Sequence, residues 1–194
     1  MRPILRASLL AAVAAALFAA PAQAATKRER ICAKRGVTVV SSKTARVFEV
    51  DREGNRSLFG CMRSGGRLQL LSTWFSCDCS TGDEPAPAAD LHAGRYVEVT
   101  EFEACGPIPD PSCGGSSTAL RDLGKRRNLS PQGDVTQVVA RGTHAAYADG
   151  RVVLLVGGEE RVVDPGPGLE AGSLALSLTR LYWTRNGAPF SAPL

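Results

Sequence analysis

Beyond residue 35 the chain reads as short apolar runs broken by Gly, Asp, Asn and Pro, and no stretch sustains a helical period. The runs predict strands over Val37–Ser41, Ala45–Val50, Ser57–Cys61, Arg67–Leu71, Tyr96–Phe102 and Thr118–Leu123. Further strands are predicted over Val135–Ala140, His144–Ala148, Arg151–Val156, Glu160–Val163, Leu174–Leu178 and Leu181–Thr184. Ala148-Asp149-Gly150 between two of them is a hairpin signal, since Asp-Gly accepts the positive φ that tight turns demand.

Leu91-His92-Ala93-Gly94 and Leu169-Glu170-Ala171-Gly172 share L-x-A-G ahead of apolar runs. Gly133 lies midway between Gly94 and Gly172 in the sequence. Gly36 precedes another predicted strand, and its spacing to Gly94 exceeds the Gly94–Gly133 spacing by the length of Ser72–Asp90. That segment, STWFSCDCSTGDEPAPAAD, reads as a Cys-rich insert at 72–90 within one β-repeat domain over 36–194. A period of about 40 residues with a few short strands predicts an all-β fold, a β-propeller-like repeat of about four short blades. Gly36, Gly94, Gly133 and Gly172 would open the innermost strands, where a side chain would crowd the backbone. The ring closes if an N-terminal strand completes the short last unit; otherwise the blades form an open arc, its edges guarded by Pro189 and Pro193. A two-sheet β-sandwich is the alternative.

The run Arg46–Leu71 with FGCMRSGGRLQLL, the Ala-Gly-Arg-Tyr-Val of 93–97, and the tail SLALSLTRLYWTRNGAP resemble uncharacterised secreted repeat proteins of high-GC bacteria. Those proteins are similar in style to the blades of TolB-like and kelch-like propellers. The resemblance implies a propeller-like fold and brings no catalytic residue with it.

Composition adds a destination. Residues 1–24 read as a signal peptide: Arg2 and Arg6, an apolar run from Ala7 to Ala20, and Ala22-Gln23-Ala24 as the cleavage site. The run is shorter than the roughly 20 residues of a spanning helix, so no stable membrane span is expected after cleavage. Residues 25–35 would then form an N-terminal segment, and the expected location is extracellular or the exterior of the cell envelope. Lys+Arg 23 against Asp+Glu 19 gives +4, and removal of two arginines leaves +2, too little for a nucleic-acid binder.

Six cysteines in such a compartment predict disulfides among Cys32, Cys61, Cys77, Cys79, Cys105 and Cys113. Cys105 and Cys113 flank the proline-stiffened GPIPDPS and form one locally plausible pair; Cys77 and Cys79 stand too close to bridge each other without strain. A metal site from Cys77, Cys79, Cys61 and His92 lacks zinc-type spacing, so neither metal nor cofactor is expected.

The chemistry is sparse. No G-x-S-x-G elbow, S-x-x-K motif, phosphate loop or H-E-x-x-H occurs. His92 and His144 are the two histidines, and both read as structural. Trp74, Phe75 and Asp78, in the Cys-rich segment, are candidate binding-loop residues. These features predict a secreted, non-catalytic binding or structural module on a disulfide-supported β-repeat, with a protein or glycan partner. Its contact face would be the loops Ser72–Asp90 and Cys105–Cys113. The alternative is a small extracellular hydrolase or lyase acting on polysaccharide through a histidine or through carboxylates among Asp78, Asp83, Glu84, Glu98, Glu101 and Glu103.

Overall fold

The computed structural model describes residues 32, 34–65, 67–75, 86–102, 115–130 and 135–194. Its named elements are all β-strands, gathered into four antiparallel sheets that each follow chain order. The first sheet holds β1 (Val37–Ser41), β2 (Ala45–Arg52), β3 (Asn55–Met62) and β4 (Leu68–Phe75). The second holds β5 (Ala88–His92), β6 (Tyr96–Phe102), β7 (Ser116–Asp122) and β8 (Arg127–Asn128). The third holds β9 (Gln137–Arg141), β10 (His144–Ala148), β11 (Val152–Val156) and β12 (Glu159–Asp164). The fourth holds β13 (Ala175–Leu176), β14 (Arg180–Arg185) and β15 (Ala188–Pro193).

Local sequence sets the hairpins. Glu53-Gly54, Gly157-Gly158 and Asn186-Gly187 each occupy a two-residue loop with positive φ at both residues. Such a turn matches the right-handed twist of the strands it joins and holds the register fixed.

Alternation within the strands decides how the sheets stack. On β2, Ala45 and Val47 face the second sheet, joining Leu58, Leu71 and Trp74 against Val97, Val99 and Leu123. On β6 the neighbouring position, Tyr96, points the other way, packing with Leu120 and Leu129 on Ala145, Tyr147, Val153 and Leu155 of the third sheet. The opposite face of the third sheet, Ala146, Ala148, Val152 and Leu154, packs on Leu174, Leu181 and Trp183. β10 and β11 are therefore apolar at nearly every position, as a sheet covered on both faces requires. Fully burying each Val, Leu or Tyr here contributes on the order of 1.5–3 kcal/mol.

The first strands β1, β5, β9 and β13 neighbour one another in turn, so the sheets fan out from their first strands as propeller blades do. The second and third sheets each pack on two neighbours, an arrangement a two-sheet sandwich does not have. Among the described residues no buried cluster joins the fourth sheet to the first.

The repeat has a different phase from the one its glycines suggested. The sheets begin at Val37, Ala88, Gln137 and Ala175, so the units are unequal and the step into the fourth sheet is the shortest. Gly36 and Gly172 do precede first strands, but Gly94 lies inside the β5–β6 hairpin. The two L-x-A-G segments are thus not equivalent: in the earlier one, Ala93 and Gly94 make a positive-φ turn. Gly133 lies outside the described residues. The segment expected as an insert over 72–90 is shorter at both ends, because Ser72–Phe75 continues β4 and Ala88–Asp90 opens β5. Thr73, Trp74 and Phe75 are strand formers, and pairing with β3 outweighs the turn residues that follow them.

Candidate functional site

The face of the first sheet turned away from the second sheet is apolar. Arg46, Phe48 and Val50 alternate away from the second sheet, across from Cys61, Phe59 and Ser57 on β3. Cys32, Phe48 and Cys61 form a buried cluster there, with Val50, Phe59 and Leu68 packed against it. The Phe48 and Phe59 rings stack with centroids 5.9 Å apart. Above them opens a cavity of about 250 Å³ lined by Arg35, Gly36, Phe48, Val50, Arg52, Phe59 and Leu68.

Three features fix the cavity wall. A disulfide joins Cys32 to Cys61, tying the segment before β1 to the end of β3. Arg46, 5% exposed, donates from Nη1 to the Cys32 carbonyl (2.8 Å), from Nη2 to the Gly36 carbonyl (3.1 Å) and from Nε to Thr38 Oγ1 (2.9 Å). Its guanidinium carbon also sits 4.8 Å from the centre of the Phe48 ring. Burial, and then the nearby charge of Arg63, pull the Arg46 pKa down. Among the described residues no carboxylate pairs with Arg46, so its charge rests on oxygen dipoles and an aromatic face. Third, Gly36 has φ +64, and a Cβ there would run into the Glu49 carbonyl oxygen.

Elsewhere, charged side chains brace the sheets. The buried Asp122 ends β7: Oδ1 accepts from Arg95 Nε (2.7 Å) and the Gly124 amide (2.8 Å), and Oδ2 accepts from Arg95 Nη2 (2.9 Å). That hydrogen bonding raises the Arg95 pKa against the opposing effect of burial. Asp164 ends β12, accepting from Trp183 Nε1 (2.7 Å) and Arg185 Nη1 (2.6 Å), and so links the third sheet to the fourth. The Gln137 side chain joins the same two sheets, donating to the Leu174 carbonyl and accepting from its amide. The sequence signal for the aspartates was the turn after each strand, Asp122-Leu123-Gly124 and Asp164-Pro165-Gly166, where a side-chain oxygen caps the bend.

The structure scatters the residues singled out from sequence. Cys32 and Cys61 bond to each other, while Cys77, Cys79, Cys105, Cys113 and Asp78 lie outside the described residues. Trp74 is no loop residue: it sits on β4, 5% exposed, with its ring in the core between the first two sheets and closed to a ligand. Phe75 ends the same strand, opposite Asn55. His92 Nε2 lies 2.7 Å from Glu98 Oε2 on the second sheet, and among the described residues no serine hydrogen-bonds to either. His144 opens β10, across from Arg141 and Val156. Glu101 is exposed near the end of β6, and Glu103, Asp83 and Glu84 lie outside the described residues. Among the described residues no three His, Cys, Asp or Glu side chains converge as metal ligands, and no helix is long and apolar enough to cross a membrane.

Sequence reading missed the cavity residues. Their signal was the run Arg46-Val47-Phe48-Glu49-Val50, in which both strand faces carry large apolar groups although, among the described residues, another sheet packs on one side only.

Fold and site together define an all-β protein of four stacked meander sheets with a cavity on its first sheet beside the Cys32–Cys61 disulfide. No family model and no curated protein matches the sequence. Among solved structures the chain is similar to TolB from Acinetobacter baumannii, at 12% identity and a TM-score of 0.29, over 82% of this chain and 43% of that one. The chain thus spans less than half the length of that protein.

Proposed function

We propose that this protein is a secreted, non-catalytic binding module, of the kind resembled by repeat proteins of high-GC bacteria, with its ligand site on the outer face of the first sheet. The observation that carries this reading is the preformed cavity: a stacked aromatic floor and a wall pinned by a disulfide and a buried arginine. Rigid apolar concavities with a few fixed polar groups bind small molecules with little ordering cost. The signal-like residues 1–24 support export, and the Cys32–Cys61 bond suits an oxidising compartment. What is left of the contact face expected over Ser72–Asp90 once β4 and β5 are taken out, together with Cys105–Cys113, is proposed as a second, protein- or glycan-facing surface.

The test combines export and binding. Sequencing the exported protein is expected to read from Ala25, and a fragment screen is expected to raise its Tm only while the disulfide is intact. Export without cleavage, or ligand stabilisation that survives reduction, contradicts the reading.

A second reading, a polysaccharide hydrolase or lyase, draws on the His92–Glu98 pair. It predicts release of reducing ends from cell-wall glycans, lost in His92→Gln; equal release by both proteins, or none, removes it.

A further inference from the structure

We propose that the cavity on the outer face of the first sheet takes a small amphiphilic anion, an aryl or branched aliphatic carboxylate. This deepens the binding-module reading and rests on it. The apolar half of such a ligand matches the partly buried Val50, Phe59 and Leu68 of the lining, where a planar ring would stack on Phe59, itself backed by the buried Phe48. The anionic half matches the two guanidinium groups, Arg35 and Arg52, that complete the lining. Among the described residues neither arginine is held in an ion pair, so both are free to meet a carboxylate. No acid belongs to the lining. Glu49 and Asp51 alternate to the other face of β2, where each pairs with Arg56. Arg46, buried behind Phe48 without a carboxylate, adds a further positive charge beneath the floor. Guanidinium is also the cation whose planar fork fits a carboxylate with two parallel hydrogen bonds.

Size narrows the class. A volume near 250 Å³ lies just below the range of drug-sized sites and suits one or two rings, or a short branched chain, with one charged group. The ligand leaves unchanged, because the lining brings guanidinium and hydrocarbon but no nucleophile or general base.

The test is a ¹H–¹⁵N NMR titration of the oxidised protein with 2-naphthoate and with its neutral counterpart 2-naphthalenemethanol. Shifts from both probes are expected to centre on Gly36, Phe48, Val50, Phe59 and Leu68, with naphthoate tighter by about two- to fivefold at low salt, the scale of exposed charge pairs. Arg35→Gln combined with Arg52→Gln is expected to abolish that preference and leave the neutral probe unaffected. Val50→Trp, which fills the cavity, is expected to block both probes, and unchanged resonances from β9 to β12 show that each variant is folded. If the two probes bind equally at this face, the anion assignment fails while the binding-module reading survives. If neither perturbs the floor, or the shifts centre elsewhere, both fail.

Discussion

Tyr147 shows how one residue ties burial to pH. Its ring is buried between the second and third sheets, and its hydroxyl donates to the Leu129 carbonyl at 2.6 Å. Burial, then the charge of Glu160, push its pKa far above the ordinary tyrosine value of 10.0. Tyr96, in the same cluster, is raised too, again chiefly by burial. A folded-state pKa above the unfolded one means that the native state holds its proton more tightly. That contribution is complete below about pH 10 and is lost as pH rises from there toward the folded value. Urea unfolding is therefore expected to show flat stability from pH 7 to 9 and a steep decline above 10. Tyr147→Phe is expected to make that decline shallower, Tyr96 supplying the remainder. An equal decline in variant and wild type would show that Tyr147 is not held neutral by its site.

At the scale of elements, strand identity was legible, as was the Asp149-Gly150 hairpin that joins β10 to β11, whereas the packing of one sheet on the next was not. β1, β6 and β10 run as their apolar pattern predicts, because alternation and bounding turn residues act locally. β5, β8 and β15 went unseen. β15 carries Pro189 and Pro193, which a reading from propensity places outside a strand; β14 pairs it from one side and leaves the other edge open, where proline is tolerated. The site was illegible for a different reason: Arg35, Arg52, Phe59 and Leu68 meet only through the registers of β1 with β2, of β2 with β3 and of β3 with β4. Gly60 marks where that register matters most. It faces the second sheet, and a Cβ there would press on the buried side chain of Leu123 and on Leu71. Gly60→Ala is expected to destabilise the protein by about 1–3 kcal/mol through overpacking, measured by chemical unfolding. Relief by Leu123→Ala in the double variant would locate the strain at this contact, whereas purely additive losses would place it elsewhere.

Across the described residues, the three inter-sheet cores form a chain in which each sheet relies on its neighbours, and the first sheet packs on another sheet by one face only. On its other face the Cys32–Cys61 bond, across a separation of 29 residues, holds the segment before β1 against β3 beside the cavity. Loop-closure entropy assigns such a link about 3–4 kcal/mol. Replacing both cysteines by serine is expected to lower unfolding free energy by that order and to loosen the cavity wall first. Hydrogen exchange is the suitable probe: amides of β1 are expected to lose protection while those of β10 and β11 keep theirs. Uniform loss of protection would mean that the disulfide holds the whole stack rather than one face.

The account depends most on the first sheet presenting a formed, ligand-accepting outer face. Soaking crystals of the oxidised protein with 2-naphthoate tests this directly. The expected result is a naphthalene ring lying over Phe59, beside Val50 and Leu68, with its carboxylate against Arg35 or Arg52. A face covered by another sheet of the same chain, or naphthoate bound elsewhere with this cavity empty, would contradict it.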